Sequence, residues 1–222
     1  MAVPHTDGAA DGPAKAAGPD RLIALSDGIF AIAMTLLVLD VSVPDGLGPR
    51  AFETSVHQLW PKVGAYALSF TILAAFWRDH RQIFQWVRQV DALLERLTLL
   101  GLGAIALLPF PTALLSEYSS HAVSVAVYAL AIAVIDLLHL ALFHVVWRRR
   151  HLQARPVDDR YGRDLTADLG TTVLVFGVSV PLAFVSPAVA MWTWLALVPL
   201  KFWLGRRAQA RSDEADNERS TP

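Results

Sequence analysis

The sequence predicts an all-α, polytopic membrane protein with six transmembrane helices and both termini in the cytoplasm. Three observations carry that expectation: long stretches without any charge, a lopsided distribution of basic residues among the loops, and tryptophans at the ends of the apolar segments. Of the 222 residues, 54% are hydrophobic and 18% are charged, against about 25% charged in soluble domains. The deficit is concentrated, since no Asp, Glu, Lys or Arg occurs over residues 97–116 or 169–200. Runs of about 18 or more such residues span the ~30 Å hydrocarbon core as helices. They are too long and too evenly apolar for barrel strands.

The elements follow in order. Residues 1–20 hold no apolar run of signal-peptide length and read as a disordered tail rich in Ala, Gly and Pro. The first span covers residues 21–43, interrupted only by Asp27 and Asp40, and Pro44, Gly46, Gly48 and Pro49 make the loop after it. A second span covers 60–77, with a basic stretch running on to Arg96. The third, 97–115, contains Pro109 and Pro111, which lack the backbone N–H a helix needs and should end or kink it. The fourth covers 121–147. The last charge-free run is too long for one crossing and holds Pro181, Ser186 and Pro187 in its middle, so it divides into spans at 165–185 and 188–204. Residues 205–222 read as a second disordered tail, leaving 21–204 as one membrane domain.

Orientation follows from the basic residues. With six crossings, all 19 Lys and Arg except Arg50 and Lys62 fall on one side, which the positive-inside rule makes cytoplasmic. Trp77, Trp147 and Trp203 lie at predicted inner ends of spans, and Trp60, Trp192 and Trp194 at outer ends. Indole rings favour that headgroup level. The protein is therefore expected to be multi-pass, in a cell inner membrane or plasma membrane.

Ionisable groups at membrane depth are costly and mark candidate functional positions. These are Asp27 beside Ser26, Asp40 near the outer end of span one, His80 just past span two, and Asp136 with His139 one helical turn apart. For the last pair, a packing link between helices is preferred over a proton relay or cation contact. Asp40 is expected to be solvated and His144 interfacial. The chain has no cysteine, and G-x-S-x-G, H-E-x-x-H and clustered metal-ligand patterns are absent, as are nucleotide loops and nucleic-acid motifs. Enzymatic chemistry, a resident cofactor and nucleic-acid partners are not expected.

Span one is the most informative segment. At about 100° per residue, Leu25, Gly28, Ile32, Thr35, Leu36, Leu39 and Val43 form one stripe, with Asp27 nearly opposite. Such a stripe ordinarily serves packing or lipid contact, and periodicity alone assigns it no further role. Arg21, Leu25-Ser26-Asp27-Gly28, Ala31-Ile32 and Thr35-Leu36-Leu37 resemble the first-helix signature of the transmembrane protein 175 family, R-x-x-x-F-S-D-G followed by A-I and T-L-L, with Leu25 in place of the usual Phe. Tyr66, Ser69-Phe70, Trp77 and His80 as W-x-x-H, and Pro109-Phe110 extend the resemblance.

The resemblance implies a potassium-permeable cation channel, assembled as a homotetramer around a central pore in the lipid bilayer, with potassium as permeant ion. No T-V-G-Y-G segment is present to build a carbonyl filter. By the motif match, Ile32 would form the main constriction, Leu36 and Leu39 further apolar rings, and Thr35 a ring of hydroxyls. Arg21, Ser26, Asp27, Trp77 and His80 would form the polar network that keeps the first two helices in register. The competing expectation is a proton-coupled secondary transporter working through Asp27 or Asp136, with Pro109/Pro111 and Pro181/Pro187 as helix interruptions.

Overall fold

The computed structural model describes residues 18–42 and 49–194. Helix α1, Pro19–Leu36, begins with proline where a missing N–H costs nothing, and it tightens into a 3-10 turn over Leu37–Asp40. Helix α2, Pro49–Phe84, is far longer than the predicted second span. It carries Arg78 and Arg81 on its last two turns instead of in a loop. The hydropathy boundary at Trp77 marks where the helix becomes polar, not where it stops. Likewise α3, Ala92–Leu107, starts before the predicted boundary, because Asp91 caps it by accepting the Leu94 N–H at 2.8 Å. Arg96 thus sits on a helix as well.

The prolines act as expected, with α3 giving way at Leu108 to α4, Pro109–Glu117. Helix α5, Ala122–Arg148, is the most buried of the crossings, and its pairing with α6, Asp159–Val185, is the most extensive in the fold. After Ser186 the chain turns into a further helix, α7, over residues 187–194. The predicted sixth span is described only that far. Its remainder, Trp203, residues 1–17 of the first tail and all of the second lie outside the described residues. Among the described residues, five helices or helix pairs are long and apolar enough to cross a membrane. The chain is an all-α, multi-pass membrane protein.

The helices enclose two apolar clusters stacked along the bundle. One joins Phe30 and Ala33 of α1 and Leu37 of its 3-10 turn to Leu73 and Phe76 of α2, Leu102 of α3, Ile132 of α5 and Phe176 of α6. The other joins Leu22, Ile83, Phe84, Leu94, Leu142, Phe143 and Leu169 near one end. Trp194, expected at a membrane interface, belongs to the first cluster. It is fully buried between Tyr128 and Phe176, with ring centroids 5.3 and 5.5 Å away. The tight turn at Ser186 folds α7 back, so Ala190 and Trp194, one turn apart, both face inward.

The two basic connections meet at one end. The Arg88 N–H donates to the Leu152 carbonyl at 2.7 Å and the Ala154 N–H to the Trp86 carbonyl at 2.8 Å, while Arg149 pairs with Asp91. At the other end Lys62 reaches Glu117 at 3.9 Å and the Asp40 carbonyl at 3.4 Å. Asp40 is not freely solvated as expected: it is half-buried and its carboxylate accepts the Ser116 hydroxyl.

Asp91 is the hinge of the basic end, and the Leu94 amide, then the Arg149 guanidinium, hold its carboxyl below the usual range. Its contribution is present at neutral pH and is lost as pH falls through the depressed folded value, below about pH 4. Asp91→Ala should destabilise the fold by about 1 kcal/mol in thermal unfolding at pH 7. Asp91→Asn, which keeps the cap, should lose less and show a flatter acid limb.

Candidate functional site

Helix α1 divides lengthwise. Leu22, Ser26, Phe30 and Ala33, recurring every three or four residues, are buried against the rest of the bundle, and Leu37 continues that line. Leu25, Gly28, Ile32, Thr35, Leu36 and Leu39 lie exposed on the other side, Ile32 at 60% and Leu39 at 69%. The Thr35 hydroxyl donates to the Ile32 carbonyl at 2.8 Å. Its hydrogen is thereby held by its own helix and its oxygen is left with free lone pairs. The stripe is an apolar surface carrying one acceptor.

What fixes the rotation of α1 is a polar seam with α2. The Ser26 hydroxyl donates to the Leu22 carbonyl at 2.7 Å and lies 2.9 Å from His80 Nε2. A hydroxyl has one hydrogen, so with it on Leu22 the imidazole must be the donor, which places the hydrogen on Nε2. Phe30, Phe84 and His139 box the His80 ring, with centroids at 5.8, 4.6 and 5.6 Å. One residue along, the Asp27 carboxylate takes the Trp77 indole N–H at 2.8 Å and the Arg81 guanidinium at 3.1 Å. Arg81 also lies 5.7 Å from the centre of the Trp77 ring. Trp77 and Arg81 are one helical turn apart and grip both oxygens of Asp27.

The structure thus brings together Ser26, Asp27, Trp77 and His80. Arg21 is exposed and forms no ion pair among the described residues. Arg81 occupies the cationic place expected of it. Sequence reading missed Arg81 because it placed that residue in a loop. The spacing of four from Trp77 was the signal, legible once α2 is known to continue. Asp136 and His139 are buried inside the subunit on α5, away from the exposed stripe, and His139 packs against His80 and Phe76. His144 is exposed.

A helix sealed to its own subunit along one face by charge and hydrogen bonds, and bare along the other, defines a class: a multi-pass membrane protein whose first helix presents a surface beyond the subunit. The chain belongs to the family of the endosomal/lysosomal potassium channel TMEM175, whose profile matches residues 21–109. It is 39% identical to a potassium channel of Streptomyces collinus over 171 residues, 75% of this chain and 82% of that one. It is 40% identical to a potassium channel of Chamaesiphon minutus over 123 residues, 52% of this chain and 61% of the relative. The fold matches the crystal structure of a lysosomal potassium-selective channel TMEM175 homologue from Chamaesiphon minutus with a TM-score of 0.73 and 29% identity, covering 85% of this chain and 97% of the other.

Removing Asp27 strands the Trp77 N–H and Arg81 together. Asp27→Ala should cost about 1–2 kcal/mol in thermal unfolding, allowing for the partial exposure of the pair. Arg21→Gln should stay within about 0.5 kcal/mol of the wild type.

Proposed function

We propose that the protein is a potassium-permeable cation channel in which the bare face of α1 lines the pore. The observation that carries this reading is that stripe. Ile32, Thr35, Leu36 and Leu39 are uncovered by their own chain on a helix whose opposite face is sealed. One helix cannot enclose a pore, so the reading requires several copies, and a homotetramer brings four α1 stripes to one axis. Ile32 then forms the narrowest ring, with Leu36 and Leu39 as further apolar rings toward the Asp40 end.

An apolar constriction gates by dewetting and makes an ion shed part of its water. Potassium holds its hydration less tightly than sodium, so a pore with few replacement ligands disfavours sodium more. The outward lone pairs of Thr35 supply part of the lost coordination beside the Ile32 ring. No carbonyl filter and no cofactor enter this mechanism, whose ligand is the permeant potassium ion. The polar seam of Ser26, Asp27, Trp77, His80 and Arg81 acts at one remove, by setting which face α1 presents. Family membership and the potassium channels among the relatives favour conduction over the transporter reading. The basic end is placed at the cytoplasm of an inner or plasma membrane by the positive-inside rule.

Bilayer recordings test the assignment. Ile32→Asn should raise unitary conductance by wetting the constriction, and Thr35→Ala should lower the preference for potassium over sodium. Unchanged currents in both would refute the pore face. Because the chain has no cysteine, Ile32→Cys creates a single thiol. Silver ions should block that variant and spare the wild type.

A further inference from the structure

At the end of the bundle away from Asp40, the connection from α5 to α6 folds back to form a cavity of about 410 Å³. Trp147, Arg148, Arg150, Gln153, Asp159 and Arg163 line most of it. Its walls are tied down. The buried Gln153 side-chain amide donates to the Val146 carbonyl at 2.8 Å and the Trp147 carbonyl at 3.0 Å, and its oxygen accepts the Val157 N–H at 3.3 Å. The loop is also held to the α2–α3 connection through Leu152 and Ala154. Trp147 lies so close over Gly162 that a Cβ there would fall 2.5 Å from the indole Cε2. Only glycine lets the ring sit where it does.

The charge around this cavity is unbalanced. Three arginines, Arg148, Arg150 and Arg163, face one carboxylate, Asp159, and none of the three has an ion-pair partner among the described residues. Two nearby arginines are engaged elsewhere, Arg149 with Asp91 and Arg155 over the Trp86 ring at 4.5 Å. Guanidinium forks match phosphate oxygens in geometry as well as charge. The depth is also specific. The α5 crossing ends at Arg148 and the α6 crossing begins at Asp159, which sets the cavity at the headgroup layer with Trp147 at the interface.

We propose that this cavity binds the phosphate of an anionic phospholipid headgroup. The site is separate from the α1 stripe and does not depend on the conduction reading. Arg148 and Arg163 supply charge from two helices, while Trp147, set by Gly162, forms the wall beside the acyl region.

Native mass spectrometry of the full-length protein in detergent tests this by comparing retained phosphatidylglycerol with phosphatidylcholine. The wild type should retain the anionic lipid preferentially. The double variant Arg148→Gln/Arg163→Gln should weaken that retention about tenfold or more. Gly162→Ala keeps every charge but displaces Trp147, and should also lose retention. Arg160→Gln, an arginine outside the cavity, should leave it unchanged. Equal loss in Arg160→Gln, no loss in Gly162→Ala, or no preference in the wild type would each overturn the site, leaving diffuse surface charge. Displacement of the lipid by millimolar inorganic phosphate would assign the cavity to a free anion and overturn the lipid reading.

Discussion

In a bilayer, apolar side chains gain little by facing one another instead of lipid tails, so α1 needs more than an Ile/Leu surface to stay in one orientation. The seam with α2 supplies it. The Ser26–His80 hydrogen bond and the grip of Trp77 and Arg81 on Asp27 are all lost if α1 turns by a fraction of a revolution. Everything assigned to the stripe of Ile32, Thr35, Leu36 and Leu39 depends on that rotation, because the stripe is simply the side the seam leaves free. Asp27, which the sequence places nearly opposite the stripe, is held by Trp77 and Arg81 of α2 and does not face the stripe.

The same logic extends across the bundle. Each major helix passes from one apolar cluster to the other through a buried polar residue: Ser26 on α1, Asp79 and His80 on α2, Thr98 on α3, Asp136 and His139 on α5, and Thr172 on α6. Within this layer the Ser26–His80 hydrogen bond crosses from α1 to α2 and sets their register in a way that Leu and Val cannot, while Thr98 and Thr172 donate to carbonyls of their own helices. A second knot fixes the other half. Ser69 of α2 meets Tyr128 of α5 and Thr112 of α4, each at 3.0 Å. Thr112 lies just after the Pro109–Pro111 break, so the broken crossing is anchored where its own helix is weakest.

The basic end is organised differently, by backbone hydrogen bonds between loops, by the Asp91 cap and by arginines with assigned partners. Three further arginines, Arg148, Arg150 and Arg163, converge on the α5–α6 cavity with no ion-pair partner among the described residues. The opposite end is sparser, with Lys62, Asp40, Ser116 and Glu117 closing α1 and its 3-10 turn against α2 and α4. The asymmetry of charge between the two ends of the bundle is therefore also an asymmetry of construction.

Length and hydropathy by themselves determined the all-helical crossings, the proline break in the third and the sorting of arginines to one end, because the hydrocarbon core imposes those features on any chain that crosses it. The polar residues of α1 and α2 were equally legible, since they stand out in apolar runs. Their partners were not. Arg81 was hidden by a helix end placed at Trp77, because hydropathy falls where arginines begin although the backbone hydrogen bonds continue. Trp194 looked interfacial until the turn at Ser186 returned it to the core, and Asp40 looked solvated until α4 brought Ser116 to it. Helical periodicity fixes the angle between side chains on one helix but says nothing of what stands opposite. Which face of α1 is sealed and which is bare was decided only by the tertiary structure, through contacts some fifty residues apart.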